Sequence, residues 1–146
     1  MIEIKQIARE DVPFVAEIER LCFSDPWSEK SFEILLDGKN VGLVALVDGV
    51  VAAYVGLICV LDEGQITNIA THPDYRRRGL ARALLRAVDD YSQKNGIVLL
   101  SLEVREQNAS ARSLYESEGW QNVGARKNFY VKPTDNAVIM IKNFER

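Results

Sequence analysis

The segment QITNIATHPDYRRRGLAR, residues 65–82, predicts a strand, a break and the start of a helix. Residues 65–71 are rich in β-branched and apolar side chains, and this strand ends at His72-Pro73-Asp74 because proline cannot continue a ladder. Residues 79–94 carry apolar side chains on one helical face and end at Asn95-Gly96, which is typical of a capped amphipathic helix. The arginine-rich loop therefore joins a strand to a helix N-terminus.

A second strand follows this helix. Residues 97–104, IVLLSLEV, are apolar on both alternating faces, as expected of a central strand that is buried on both sides. A strand, a helix and a strand in this order imply a parallel crossover. We therefore predict that residues 65–71 and 97–104 form a parallel pair in the centre of a sheet.

The flanking segments predict antiparallel strands and further helices. Asp48-Gly49 lies between two apolar runs, residues 41–47 and 50–60, and is a strong hairpin signal because glycine accepts the positive φ of a tight turn. Three side chains can cap helices that run to residues 22, 36 and 118, namely Asp11, Ser28 and Asn108. The remaining strands are predicted at residues 2–7, 120–130 and 137–141.

Together these elements predict an α+β fold with a three-layer α/β arrangement. A mixed, mostly antiparallel twisted sheet would be flanked by about four helices, with the parallel pair at its centre. The chain has 146 residues, close to the common size of one domain, and contains no linker or internal repeat. We expect a single domain over residues 1–146.

Composition excludes several classes of protein. With 47% hydrophobic and 27% charged residues, the chain has the composition of a globular protein. It has neither an apolar run of membrane-spanning length nor the layout of a signal peptide, so we expect a cytoplasmic protein with no membrane partner. Cys22 and Cys59 are widely separated and His72 stands alone, so neither a disulfide nor a metal site is expected.

The arginine-rich loop is an exception in an acidic chain. The net charge of −3 favours a basic partner and argues against direct binding of nucleic acid. Four positive charges nevertheless lie within seven residues, on Arg76, Arg77, Arg78 and Arg82. A helix N-terminus offers unpaired N–H groups, so a glycine-containing loop that enters it predicts a pyrophosphate site. From charge alone, a solvated basic turn is an equal alternative.

Two motifs resemble those of the GNAT superfamily of N-acetyltransferases. Arg76-x-x-Gly79-x-Ala81 resembles the family's Gln/Arg-x-x-Gly-x-Gly/Ala pyrophosphate motif, and it matches neither the dinucleotide-binding fingerprint nor a Walker A loop. A second signature, typical of the branch that acetylates N-terminal amines, is similar to residues 102–105, Asn108, Ala111, Leu114-Tyr115 and Gly119-Trp120. The two motifs occur in the family's order.

The resemblance extends over nearly the whole chain. Pro26-Trp27-Ser28 with Phe32 is similar to a segment of the bacterial RimI-type branch, which acetylates the N-terminal alanine of a small-subunit ribosomal protein. Four positions depart from the pattern: Ala81 stands for the commoner Gly, Trp120 for Phe, Phe129 for the first Tyr of Tyr-Tyr, and Asn136 for Asp. The last two lie on the expected substrate side.

The resemblance implies that acetyl-CoA is the acetyl donor and that no metal is needed. It implies cofactor contacts from the strand end, the arginine loop and the next helix start, namely Ile69, Ala70, Thr71, Arg76, Arg77, Arg78, Gly79, Leu80, Ala81, Arg82 and Asn108. The acceptor would be the N-terminal α-amine, in this branch that of an alanine, on a ribosomal protein. An α-amine has a pKa of about 7.7–8.0 against about 10.4 for lysine, so a carboxylate acting through water could deprotonate it.

Two side chains are candidates for the proton transfers. Glu103 lies at the carboxyl end of the predicted central strand, and the resemblance makes it the general base; from position alone it could be a strand-end carboxylate paired with Arg105. Tyr115 lies two helical turns after Asn108, and the resemblance makes it the general acid; from periodicity alone it could be a core tyrosine. Trp27 and Tyr130 are candidate substrate contacts, with plain packing roles as the alternative.

Two other functions use the same features. A GNAT enzyme could acetylate a lysine, a polyamine or an antibiotic amine, because the fold does not fix the substrate. A non-catalytic CoA-binding or ribosome-associated module could use the arginine loop without chemistry. The oligomeric state is left open by the sequence.

Overall fold

The computed structural model describes residues 1–144 and contains a seven-stranded sheet flanked by helices. The strands are β1 (Ile2–Gln6), β2 (Val41–Val47), β3 (Val50–Val60), β4 (Glu63–Thr71), β5 (Leu99–Arg105), β6 (Gln121–Val131) and β7 (Thr134–Asn143). The α-helices are α1 (Val12–Cys22), α2 (Leu80–Lys94) and α3 (Ala109–Ser117). Short 3-10 segments lie at Arg9–Asp11, Lys30–Leu36 and Pro73–Tyr75.

The sheet has the order β1-β2-β3-β4-β5-β7-β6. β4 and β5 are parallel, with α2 as the crossover between them, and the other neighbouring pairs are antiparallel. The predicted mixed sheet with a parallel central pair is therefore confirmed. The hairpin of β2 and β3 has the predicted bounds, and Asp48 and Gly49 adopt φ values of 50° and 83°.

Helices cover both faces of the sheet. α1 and the Lys30–Leu36 segment pack on one face, and we call the buried apolar cluster there the α1-side core: Val15, Ile18, Phe32, Val44 and Tyr54 are members. α2 packs on the opposite face in the α2-side core, whose members include Leu80, Leu84, Leu85, Val88 and Leu100. Burial of each apolar side chain of this size contributes roughly 1.5–3 kcal/mol to the free energy of unfolding. Among residues 1–144, no helix is long and apolar enough to cross a membrane.

A bulge in β4 sets up an open strand edge. Leu57 pairs with Ile66 and Gly56 with Asn68, so Thr67 is the extra residue and the side chains change face there. Parallel pairing with β5 ends at Ile66 and Leu102. Beyond that point residues 67–71 keep β3 on one side, and no strand within residues 1–144 pairs with the other side. The backbone of this edge can therefore pair with a ligand.

Two predicted details of the fold are wrong, and a third is confirmed. Asp11 does not cap α1 through its side chain, because its Oδ2 accepts instead from the Ala8 N–H at 2.8 Å and from Lys5 Nζ at 2.5 Å. The short helix predicted after Ser28 and through Leu36 is confirmed: it is the 3-10 helix Lys30–Leu36, and Ser28 accepts from the Ser31 N–H at 3.2 Å. β7 extends beyond the predicted residues 137–141 at both ends, because it pairs with β5 and β6 along most of its length.

The prediction of a central strand buried on both faces is also wrong for β5. Leu100, Leu102 and Val104 are buried in the α2-side core, whereas the alternate residues Ser101 and Glu103 are only half-buried. α1 packs mainly on β3 and β4, so it leaves this part of β5 accessible. The partly open face is the one that carries Glu103.

Candidate active site

A groove of about 520 Å³ lies between the end of β4, the start of α2 and α3. Eleven of its lining residues were predicted as cofactor or catalytic residues: Ile69, Ala70, Thr71, Arg76, Arg77, Gly79, Leu80, Ala81, Arg82, Asn108 and Tyr115. Three further lining residues were not assigned to the cofactor from the sequence: Ser110, Ala111 and Leu114. They lie on α3 after Asn108. Ala111 and Leu114 belong to the second motif, which could have indicated them, whereas no motif residue marks Ser110.

The N-terminus of α2 opens into this groove. Gly79 is the N-cap residue with a φ of 77°, and as a glycine it has no side chain with which to cap the helix. The first N–H groups of an α-helix have no partner within the helix, and the partial positive charge of the helix dipole is concentrated there. Glycine accepts the left-handed backbone and leaves the approach clear. This end of the groove is therefore suited to a phosphate group.

The arginines of the loop have different surroundings. Arg76 donates from Nε to the carbonyl oxygen of Thr71 at 3.4 Å and from Nη2 to Cys22 Sγ at 3.5 Å. Arg82 Nη1 lies 2.5 Å from Glu118 Oε2, so its charge is already partly balanced. Arg78 lies outside the groove and stacks on the ring of Tyr75, with 5.0 Å between the guanidinium carbon and the ring centre.

Asn108, at the N-cap of α3, and Tyr115, within that helix, both line the groove. Asn108 caps the helix, because its Oδ1 accepts from the Ala111 N–H at 3.2 Å. Tyr115 is 6% exposed, and its ring centre lies 6.1 Å from that of Trp120. Burial, with a smaller contribution from Tyr130, raises the pKa of the Tyr115 phenol to about 12. The phenol therefore keeps its proton at neutral pH and can act as a hydrogen-bond donor.

Glu103 lies one residue beyond Leu102, the last residue of β5 that pairs with β4, at the point where these two parallel strands separate. Its Oε2 lies 3.2 Å from Nε of Arg126 on β6, although the two groups are not aligned for a hydrogen bond. The side chain is 19% exposed. Arg105, the partner considered from the sequence, instead donates to the carbonyl oxygens of Pro133 and Lys132.

Tyr130 lies near both proton-transfer candidates. Burial raises the pKa of its phenol, and the negative charge of Glu103 is the second cause. Tyr130 in turn contributes to the raised pKa of Tyr115. The guanidinium carbon of Arg105 lies 4.3 Å from the Tyr130 ring centre and orients the ring. Tyr130 therefore lies within electrostatic range of Glu103 on one side and of Tyr115 on the other.

Trp27 has a packing role in the structure. Its half-buried ring lies against Phe32, with ring centres 5.3 Å apart, at the margin of the α1-side core. Its loop is nevertheless close to the site, because Ser24 Oγ donates to the carbonyl oxygen of Lys132 at 2.5 Å. That bond joins the loop after α1 to the turn between β6 and β7. Arg105 donates to two carbonyl oxygens of the same turn, those of Lys132 and Pro133.

Buried polar residues near the site were missed from the sequence. Glu19 is 2% exposed and Asn68 is 7% exposed, and they are hydrogen-bonded to each other. Glu19 lies three or four residues from Val15, Ala16 and Cys22, so the helical period does place it on the inward face of α1. For metals, residues 1–144 hold no group of three or more His, Cys, Asp or Glu side chains that could bind one.

Comparison with known proteins places this site in a family. Residues 12–120 match the model of the acetyltransferase (GNAT) family. The [ribosomal protein bS18]-alanine N-acetyltransferase of Escherichia coli K12 is 39% identical over 144 residues, which cover 96% of each chain. The enzyme of the same name from Haemophilus influenzae is 35% identical over 94% of this chain and 95% of its own.

A solved structure supports the same assignment. The crystal structure of the ribosomal-protein-S18-alanine N-acetyltransferase from Escherichia coli superposes with a TM-score of 0.93 at 36% identity, covering 100% of this chain and 96% of the other. The sequence similarity and the fold agree over nearly the full length. The chain therefore belongs to the GNAT family of acetyltransferases.

Proposed function

We propose that this enzyme transfers the acetyl group of acetyl-CoA to the N-terminal α-amine of ribosomal protein bS18, where that residue is alanine. The similarity to bS18-alanine N-acetyltransferases spans 96% of the chain. The observation that carries the chemistry is the separation of β4 from β5, because it opens a groove beside Glu103 and Tyr115. An acyl donor and an amine can meet at that point.

The groove supports one orientation for acetyl-CoA in this proposal. Its pyrophosphate would bind the N–H groups at the start of α2, with Arg76 and Arg77 adding positive charge. Its pantetheine arm would pair with the open backbone edge of residues 67–71, as a strand does. The thioester would then lie near Tyr115, which lines the same groove.

The pairing of Arg82 with Glu118 gives a prediction about cofactor affinity. Glu118 also binds Arg86, and hydrogen bonds from Arg86 and Arg82 hold the pKa of Glu118 below its usual value. Replacing Glu118 with glutamine should free the positive charge of Arg82 and tighten acetyl-CoA binding about two- to fivefold at low salt. Titration calorimetry measures this change.

The matched control for that variant is Glu116→Gln. Glu116 lies on the exposed surface of the same helix, so its loss changes the net charge equally without releasing Arg82. If Glu116→Gln tightens acetyl-CoA binding as much as Glu118→Gln does, the gain in affinity is a general charge effect and Arg82 does not contact the cofactor. If Glu118→Gln binds acetyl-CoA no more tightly than the unmodified protein, Arg82 likewise does not contact the cofactor.

The acceptor is tested with peptides. The purified protein is incubated with acetyl-CoA and a peptide that has the bS18 N-terminal sequence, beside a copy with a blocked N-terminus and a free lysine. We expect CoA release and a mass increase only for the free N-terminus, because an α-amine is a weaker base than lysine and loses its proton more easily. If only the lysine peptide is acetylated, the enzyme acts on an amine other than the N-terminal one. If neither peptide is acetylated, the result favours a non-catalytic CoA-binding module.

A further inference from the structure

A buried carboxylate connects three elements around the site. Glu19 on α1 accepts from the phenol of Tyr54 on β3, from Asn68 Nδ2 on β4 at 3.2 Å to each oxygen, and from the Trp27 N–H at 2.9 Å. Burial, followed by the charge of Glu19, raises the pKa of the Tyr54 phenol, so that group remains a donor. Each of these contacts is a donor to Glu19.

Glu19 has no cation among its contacts within residues 1–144. A buried charge is costly to desolvate, and well-packed apolar side chains usually hold a core together at least as well. Stability alone is therefore a weak reason for a carboxylate at this position. The identities of its partners indicate another reason.

Two of those partners belong to segments that lead to the proposed reaction site. Asn68 lies directly after the bulge at Thr67, on the edge of β4 that has lost its β5 partner. Trp27 belongs to the loop after α1, whose Ser24 reaches the turn between β6 and β7. One carboxylate thus fixes the cofactor edge of β4 relative to the loop on the acceptor side.

The orientation of Asn68 follows from the same contacts. A carboxylate only accepts hydrogen bonds, so it requires the amide nitrogen of Asn68 to face it and turns Oδ1 away. Oδ1 is buried and has no donor within residues 1–144. An unpaired buried acceptor is unfavourable, so Oδ1 does nothing to stabilise this orientation of the amide. The bonds from Nδ2 to Glu19 fix the orientation instead.

We propose that Glu19 is a positioning residue for acetyl transfer, which sets the acceptor loop and the bulged edge of β4 at the spacing that the attacking amine requires. This inference rests on the proposed transfer to an amine, but not on which amine is acetylated. Small displacements of reacting groups reduce rates strongly, because attack requires the amine and the thioester to be aligned. Glu19 acts through Trp27 and Asn68 and touches neither substrate.

The test is Glu19→Gln, which preserves size but gives up one acceptor oxygen for an amide nitrogen. In either orientation the amide nitrogen removes one of the two bonds from Asn68 Nδ2, together with the bond from the Trp27 N–H or the bond from the Tyr54 phenol. We expect kcat/KM for the acceptor peptide to fall by about tenfold or more, while the Kd of acetyl-CoA in calorimetry stays nearly unchanged.

Tyr54→Phe is the matched control. It removes another buried hydrogen bond from Glu19 but leaves Asn68 and Trp27 in place, so it should lower the melting temperature while kcat/KM is retained. If Glu19→Gln and Tyr54→Phe reduce kcat/KM in proportion to their loss of stability, Glu19 is only structural and the proposal fails.

A second variant covers the case in which Glu19→Gln does not fold. Asn68→Ala removes one link from the other end, and it should also lower kcat/KM for the peptide with little change in acetyl-CoA binding. Retained kcat/KM in Asn68→Ala would overturn the proposal. All variants are assayed with whichever amine the unmodified enzyme acetylates, so a wrong acceptor assignment is detected in the unmodified enzyme first.

Discussion

Replacing Glu103 with glutamine should lower kcat for acetylation of the acceptor peptide by about 10²–10⁴-fold, the usual contribution of a general base. The α-amine reaches the enzyme largely as an ammonium ion near neutral pH, and it cannot attack a thioester until it loses a proton. Glu103 lies where β4 and β5 separate and is 19% exposed, so an acceptor can approach it. Glutamine keeps the shape but cannot take up the proton.

The acetyl-CoA affinity of Glu103→Gln should change little, because Glu103 does not line the cofactor groove. The control is Glu106→Gln, which removes an exposed carboxylate three residues further along the chain. Steady-state kinetics with the peptide at saturating acetyl-CoA compare the two variants. A Glu103→Gln enzyme that is as active as the control would exclude Glu103 as the base, and the search would move to a carboxylate elsewhere.

The parts of the fold that the sequence predicted best are those with local causes. The hairpin at Asp48-Gly49 has the predicted strand bounds, since two residues with positive φ define the turn. α2 begins and ends within one residue of its prediction, because Gly79 and Gly96, which both have positive φ, lie just before and just after it. Asp11 shows the limit of local reasoning: Lys5 and Ala8 compete for its carboxylate, and only the folded chain brings Lys5 there.

In the candidate site, too, the sequence predicted the features with local causes and missed those that depend on strand pairing. The cofactor groove is built largely from two short segments around Arg76 and Asn108, so a linear motif could predict most of its lining. The partner of Glu103 could not be predicted, because Arg126 reaches it only through the register of three strands, in which Glu103 and Gly124 are both paired with Ile139. The bulge at Thr67, which turns Asn68 toward Glu19, likewise depends on the pairing with β3.

Replacing Tyr115 with phenylalanine should lower kcat by about 10²-fold or more without weakening acetyl-CoA binding to the same extent. As the C–S bond breaks, negative charge develops on the sulfur of CoA, and a positioned O–H can stabilise it. The phenol of Tyr115 lines the groove and is buried, so its hydrogen bond acts in a poorly solvated environment. Tyr91→Phe on α2 is the control, since that residue lies outside the groove.

The pH dependence gives an independent test of Tyr115. Burial raises the pKa of this phenol to about 12, so the donor form persists as the pH rises and is lost only when the pH approaches that value. With the unmodified enzyme, kcat/KM should therefore rise as the amine deprotonates and then stay level to about pH 10. A fall in kcat/KM below pH 10 that disappears in Tyr115→Phe would show that the phenol ionises normally. In that case the proton for the CoA thiolate must come from another group, and Tyr130, which is also within electrostatic range of Glu103, would be the next residue to replace.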